Sequence, residues 1–305
     1  MINIQKYGAI DIGSNAVRLL VANVIEIDGR ETLFRKNALV RVPIRLGADV
    51  FKQNRISEEN IERMIDTMHA FKLLMQSHKV VSYKACATSA MREAENGAEV
   101  VKLVKKKTGV KIEIIDGNDE AAIIANTDIR SLIESEKTYL YVDVGGGSTE
   151  FTLYSDGAVV ASRSFKLGTV RLLEGLVGHA VWDEVEQWIK TVTKGYSRID
   201  LIGSGGNINK IFKLSGKKDG KPLSYFYLVS FYEFMQSYSY EERIIELELN
   251  NDRADVIIPA TRIYLSAMKW SRAKNIHVPK IGLSDGIIKS LYYEKNQLKS
   301  EKIDK

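Results

Sequence analysis

At 305 residues, with 45% apolar and 27% charged residues, the chain is about twice the length of an ordinary domain and too apolar for global disorder. Its net charge of +5, from 44 basic and 39 acidic residues, is a mild excess that favours a polyanionic ligand without specifying one. A single cysteine, Cys86, excludes an intramolecular disulfide framework, and no stretch approaches the length of a membrane span, so a cytoplasmic protein without a membrane partner is expected.

In chain order, Lys6–Ile12 and Val17–Ile25 are β-rich apolar runs around Gly13-Ser14-Asn15, the pattern of a strand, a tight turn and a returning strand. Thr32–Val42 reads as a further strand. Ser57–Met75 reads as a helix, because Ile61, Met64, Ile65, Met68 and Phe71 recur at helical spacing behind the Ser57 cap. A strand over Val80–Ala87, a helix over Ala98–Lys107, a strand over Val110–Ile115 and a helix over Asn118–Leu132 follow. The opening pattern then recurs: Thr138–Val144, the turn Gly145-Gly146-Gly147, and Ser148–Tyr154. Asp11 and Asp143 superpose in this repeat at a separation of 132 residues, too long for a solenoid period and suited to a duplicated domain.

Beyond the repeat, strands are expected over Ala158–Phe165, Ile199–Ile202 and Ile276–Val278, and helices over Trp182–Lys194, Ala254–Trp270 and Asp285–Tyr293. The alternation predicts an α/β protein of two domains, residues 1–125 and 126–305, with the boundary placed by the repeat and not by a composition break.

Phosphate handling needs backbone N–H groups that approach oxygen closely, which glycine permits. Gly13-Ser14-Asn15, Gly145-Gly146-Gly147-Ser148 and Gly203-Ser204-Gly205-Gly206-Asn207 each follow a predicted strand. One such turn alone is more often a plain hairpin, but three together point to phosphate. Asp11 and Asp143 stand at strand ends, where Mg²⁺ could bridge a carboxylate to phosphate, although Asp11 by itself also reads as a turn cap. From spacing alone Glu120 and Glu150 read as solvated carboxylates. The chain has no GxxxxGK[ST] loop, complete GxGxxG, GxSxG elbow or HExxH, and His69, His78, His179 and His277 lack ligand spacing. P-loop, dinucleotide, serine-hydrolase and zinc readings therefore fall, and no nucleic-acid partner is expected.

The segments Ala9–Leu20, Arg45-Leu46-Gly47, Ala87–Ala94, Gly117–Ala121, Asp143–Glu150, Leu167–Leu172 and Gly203–Gly206 resemble, in order, those of the exopolyphosphatase and guanosine pentaphosphate phosphatase family. That family lies within the actin, Hsp70 and sugar kinase superfamily. The resemblance implies two ribonuclease-H-like domains flanking a cleft, with Mg²⁺ as cofactor. It implies Glu120 as the catalytic glutamate that activates water, with Asp143 and Glu150 tied to metal and water positioning and Asp11 a further candidate metal ligand. Arg92 would grip phosphate. Ser14, Asn15 and Arg18 would form the first phosphate loop, Gly145, Gly146, Gly147 and Ser148 the second, and Gly205, Gly206 and Asn207 the third.

Asn207 stands where the family usually has Thr, Asp119 where it usually has Glu, and Gly282–Gly286 replaces a motif that commonly carries an arginine. Longer members also have a C-terminal helical extension of HD type, and the resemblance is to the short form expected to lack it. The expected activity is release of terminal orthophosphate from inorganic polyphosphate, favouring shorter chains. Guanosine pentaphosphate is the alternative substrate, with aromatics near Tyr225–Tyr232 as a candidate purine pocket. A kinase and a binding protein without turnover are the more distant readings, and a homodimer is left open by the sequence.

Overall fold

The computed structural model describes residues 2–125, 127 and 137–303, the side chains of 125 and 297–303 aside. The chain divides into two compact units, Met1–Thr127 with Leu283–Lys305, and Asp128–Gly282.

In the first unit, β1 (Ile2–Ile12), β2 (Val17–Ile27), β3 (Leu33–Val42), β4 (Val80–Ala87) and β5 (Ile112–Ile114) form a five-stranded sheet in the order β3-β2-β1-β4-β5. β1, β2 and β3 pair antiparallel, while β4 and β5 extend the sheet in parallel. This arrangement is that of the ribonuclease-H-like fold. The two-residue period of the strands sends Ile10, Ile12, Val17, Leu19 and Val21 to one face, where they meet Met64, Met68 and Phe71 of helix α2 (Glu58–Ser77). As the sequence indicates, α2 starts at Ser57, whose side chain accepts from the Asn60 N–H.

Four shorter helices complete the unit's first stretch: α1 (Leu46–Gln53), α3 (Ser89–Glu93), α4 (Gly97–Thr108) and α5 (Gly117–Ala125). Helix was expected from Asn118 to Leu132. It is found to Ala125, and the rest of that expectation, apart from Thr127, lies outside the described residues, as does the expected boundary at Asn126.

The second unit repeats the plan. β6 (Thr138–Val144), β7 (Thr149–Ser155) and β8 (Ala158–Phe165) are antiparallel neighbours, followed by α6 (Thr169–Leu173) and α7 (His179–Val192). β9 (Ile199–Ser204) pairs in parallel with β6 and leads into α8 (Gly206–Leu214). Then come β10 (Leu223–Ser224), α9 (Tyr225–Gln236), α10 (Tyr240–Ile245), α11 (Asn251–Ala254), α12 (Ile257–Ser271) and β11 (Asn275–His277), giving the six-stranded order β10-β11-β9-β6-β7-β8. Leu140, Val142, Phe151 and Leu201 share a core with Val185 and Ile189 of α7 and with Ala260, Ile263 and Tyr264 of α12.

The last helix, α13 (Leu283–Ile303), corrects the expected domain 126–305, because it belongs to the first unit. Its aromatic residues explain the return: Tyr292 stacks edge-on against Tyr7 and Phe34, and its hydroxyl donates to Glu26 at 2.7 Å. Periodicity marks this helix but says nothing of which sheet receives it.

Candidate phosphate and metal sites

In the first unit the turn after β1 is closed by the Gly13 N–H donating to the Ala16 carbonyl at 3.1 Å. It is braced by the segment between β3 and α1. The Gly47 N–H donates to the Ser14 carbonyl at 2.7 Å, and the Arg45 N–H to that of Asn15 at 3.1 Å. A Cβ on Gly47 would sit 3.0 Å from that of Ser14, so glycine allows the close approach. The Ser14 and Ser89 hydroxyls are buried and 2.9 Å apart, which ties the turn to the start of α3.

Asp11 and Arg18 are direct cross-strand partners, with Nη1 3.2 Å from Oδ2. Burial pushes the Asp11 carboxyl above its ordinary range, and the guanidinium pulls in the opposite direction. Asp11, expected among the metal ligands, therefore has a guanidinium as its cation in this structure.

Glu120 lies in the first turn of α5, and the root of that helix is held twice. Asp116 Oδ1 accepts from the Asn118 and Asp119 N–H groups at 2.8 Å each, and Arg92 Nη1 donates to the Ile115 carbonyl at 2.7 Å. Arg92, expected on phosphate, thus commits one of its five N–H donors to the segment that carries Glu120. Cys86 sits beside Asp11 in the β1–β4 register, and burial drives its thiol up to about 12, with Asp11 and Glu120 among the charges that raise it. Asp11, Ser14, Asn15, Arg18, Arg92 and Glu120 all lie at the ends of β1, β2, β4 and β5 or in the turns and helices that follow them.

In the second unit the Gly145 N–H donates to the Ser148 carbonyl at 2.9 Å, the same bond as Gly13 to Ala16 at the repeat distance. The Thr169 and Val170 N–H groups at the start of α6 donate to the Gly145 and Gly146 carbonyls at 3.0 and 2.8 Å, and Arg171 Nε to that of Gly147 at 2.7 Å. A Cβ on Gly168 would fall 2.2 Å from the Gly146 carbonyl oxygen. The Leu167–Leu172 segment is therefore packed onto the glycine turn.

Asp143 faces Glu150 across the β6–β7 pair and Ser204 across β6–β9. Glu150 is buried, and its Oε1 accepts from Ser148 Oγ at 2.6 Å and Ser164 Oγ at 2.8 Å. Gly205 holds φ at +109°, and a Cβ there would lie 3.4 Å from Asp143 Oδ1, so the third glycine turn is seated on that carboxylate. Gly206 and Asn207 open α8 immediately beyond. Burial, then the charge of Asp143, push the hydroxyls of Tyr141 and Tyr264 well above their ordinary range.

Among the described residues no group of three or more His, Cys, Asp or Glu is placed to enclose a metal. Mg²⁺ does not require one, since it commonly uses one or two carboxylates with phosphate oxygens and water. Asp143 and Glu150, cross-strand neighbours on one sheet face, are oxygen donors of the kind it uses.

Sequence reasoning missed Ser164, Tyr141, Tyr264 and Asp116. Ser164 is the register partner of Glu150, so strand pairing could have found it. Tyr264 reads in sequence as one more core aromatic of a long helix.

A profile described as the Ppx/GppA phosphatase family matches residues 28–294. A bifunctional 3-dehydroquinate synthase/phosphatase of Fusobacterium nucleatum is 35% identical over 170 residues, covering 54% of this chain and 26% of that protein. Exopolyphosphatase 1 of Mycobacterium tuberculosis is 30% identical over 168 residues, covering 55% of this chain and 48% of that protein. The matched regions thus span about a quarter and about a half of those relatives. The crystal structure of the Ppx/GppA family member of Aquifex aeolicus aligns with a TM-score of 0.77 at 27% identity, over 96% of this chain and 99% of that one. By its sequence over most of its length and by its fold, the chain belongs to the Ppx/GppA phosphatase family.

Proposed function

We propose that this protein is a Mg²⁺-dependent phosphoanhydride hydrolase that releases terminal orthophosphate from inorganic polyphosphate. The observation that carries the proposal is the duplicated hairpin, in which an aspartate ends a strand, a glycine turn follows, and the facing residue is Arg18 in one unit and Glu150 in the other. Family membership and the mycobacterial relative named as an exopolyphosphatase support the reaction class.

In this reading Arg92, Arg18 and the turn amides hold phosphate oxygens, and Glu120 aligns the attacking water and accepts its proton. Asp143 and Glu150 would hold Mg²⁺, which neutralises charge on the transferring phosphoryl group when bound. The proposal includes a cytoplasmic location, where the buried thiol of Cys86 stays reduced.

Guanosine pentaphosphate is the second candidate substrate. The Tyr225–Tyr232 run lies on α9, where Phe231 is buried in the core and Phe226 is exposed, and the proposal puts polyphosphate first on the strength of the mycobacterial relative's name. Initial rates of orthophosphate release from the two substrates with Mg²⁺ test the order, and a higher kcat/KM on guanosine pentaphosphate reverses it.

A further inference from the structure

We infer that Tyr264 is a positioning residue for Asp143, its hydroxyl linking the end of β9 to the end of β6 and so seating the third glycine turn against the carboxylate. The inference rests on the metal assignment proposed above and adds a residue that lies in none of the glycine turns.

Tyr264 is fully buried on α12, with its ring in the core of the second unit. Its hydroxyl donates to the carbonyl of Ser204, the residue before Gly205 and the register partner of Asp143. The backbone of Val144, the residue after Asp143, reaches the same hydroxyl. A Cβ on Gly205 would lie 2.9 Å from the Val144 carbonyl oxygen, 3.4 Å from Asp143 Oδ1 and 3.6 Å from the Tyr264 hydroxyl, so all three groups converge on the space a side chain at 205 would take. A backbone held at positive φ persists where its surroundings over-determine it. Here a ring fixed by core packing carries a hydroxyl at its tip, which passes the rigidity of the core to the turn and the carboxylate. Tyr141 adds a second restraint, its hydroxyl donating to Asp143 Oδ2 at 3.4 Å.

Tyr264→Phe keeps the ring and deletes only the hydroxyl. Titration calorimetry with Mg²⁺ on the full chain compares this variant with wild type, and metal-free circular dichroism and melting check the fold. The expected result is a cooperative, native-like variant whose Mg²⁺ Kd is raised by about 10-fold or more, the usual cost of losing a group that supports a metal ligand. Equal Kd values overturn the inference and leave the metal assignment standing. Absence of Mg²⁺ binding by wild type overturns the metal assignment and the inference with it. Should Tyr264→Phe fail to fold, 3-fluorotyrosine at position 264 reads the same link: its ¹⁹F resonance shifts when Mg²⁺ is added, and a resonance that stays fixed while Mg²⁺ binds overturns the inference.

Discussion

Glu150 lies directly opposite Asp143 across the β6–β7 hairpin, at the position that Arg18 takes opposite Asp11 in the first unit. Two hairpins of one design therefore differ in the sign of one residue. The aspartate of the first has a guanidinium within 3.2 Å, whereas that of the second shares its face of the sheet with another carboxylate. The proposed Mg²⁺ site uses this carboxylate pair of the second unit as its oxygen donors.

Glu150→Gln tests the assignment with little change of shape. The amide oxygen still accepts from Ser148 and Ser164, so the variant loses charge and keeps its hydrogen bonds. Mg²⁺ affinity is expected to fall by about 10- to 100-fold. Calorimetric titration that finds affinity unchanged would remove Glu150 from the metal site.

Gly168→Ala tests the brace on the second glycine turn. The added methyl would fall 2.2 Å from the Gly146 carbonyl oxygen and 2.4 Å from the Gly147 carbonyl carbon, so the turn must move. Overpacking of this kind costs about 1–3 kcal/mol. A displacement near 1 Å in a catalytic turn can lower turnover about 10²-fold. Urea unfolding and orthophosphate release measured on one preparation check both effects, and unchanged turnover would show that the turn takes no part in phosphate binding.

A pH-dependent test lies away from the site, at Asp200 and His277 in the second unit, 3.2 Å apart. The hydrogen bond to His277 is the largest influence on Asp200 and holds its carboxyl below the ordinary value of 3.8. A depressed folded-state pKa means that the unfolded chain binds the proton first as pH falls. The pair's stabilisation is therefore fully present above pH 3.8 and is lost as pH drops through the folded value. Because the pair is partly exposed, His277→Ala is expected to cost only about 0.2–1 kcal/mol at neutral pH. Urea midpoints should converge between variant and wild type below pH 3.8, and a gap that widens there would contradict the assignment.

Strand periodicity and the glycine turns made both sheets and the duplication legible before any coordinates. Val80–Ala87, Thr138–Val144 and Ala158–Phe165 are strands at the bounds expected from their β-rich runs and flanking turn residues. The short helices α1, α3 and α6 were not read as helices, because each has only five to eight residues and is held by tertiary contacts to a glycine turn or a neighbouring strand. Helices this short have little intrinsic stability, so periodicity cannot find them. The site shows the same limit. Asp11, Glu120, Asp143 and Glu150 come from motifs within the chain. Tyr264 and Ser164 act through contacts with residues 60 and 14 positions away, which only strand register and helix packing create.

The most direct test of the central claim is orthophosphate release from short and long polyphosphate, with and without Mg²⁺, by wild type and Glu120→Gln side by side. The account predicts metal-dependent release by wild type and a turnover lower by about 10²- to 10⁴-fold in the variant, with substrate binding nearly intact. Equal turnover in the two proteins would contradict the role of Glu120, and no release by wild type from any chain length would contradict the polyphosphatase reading itself.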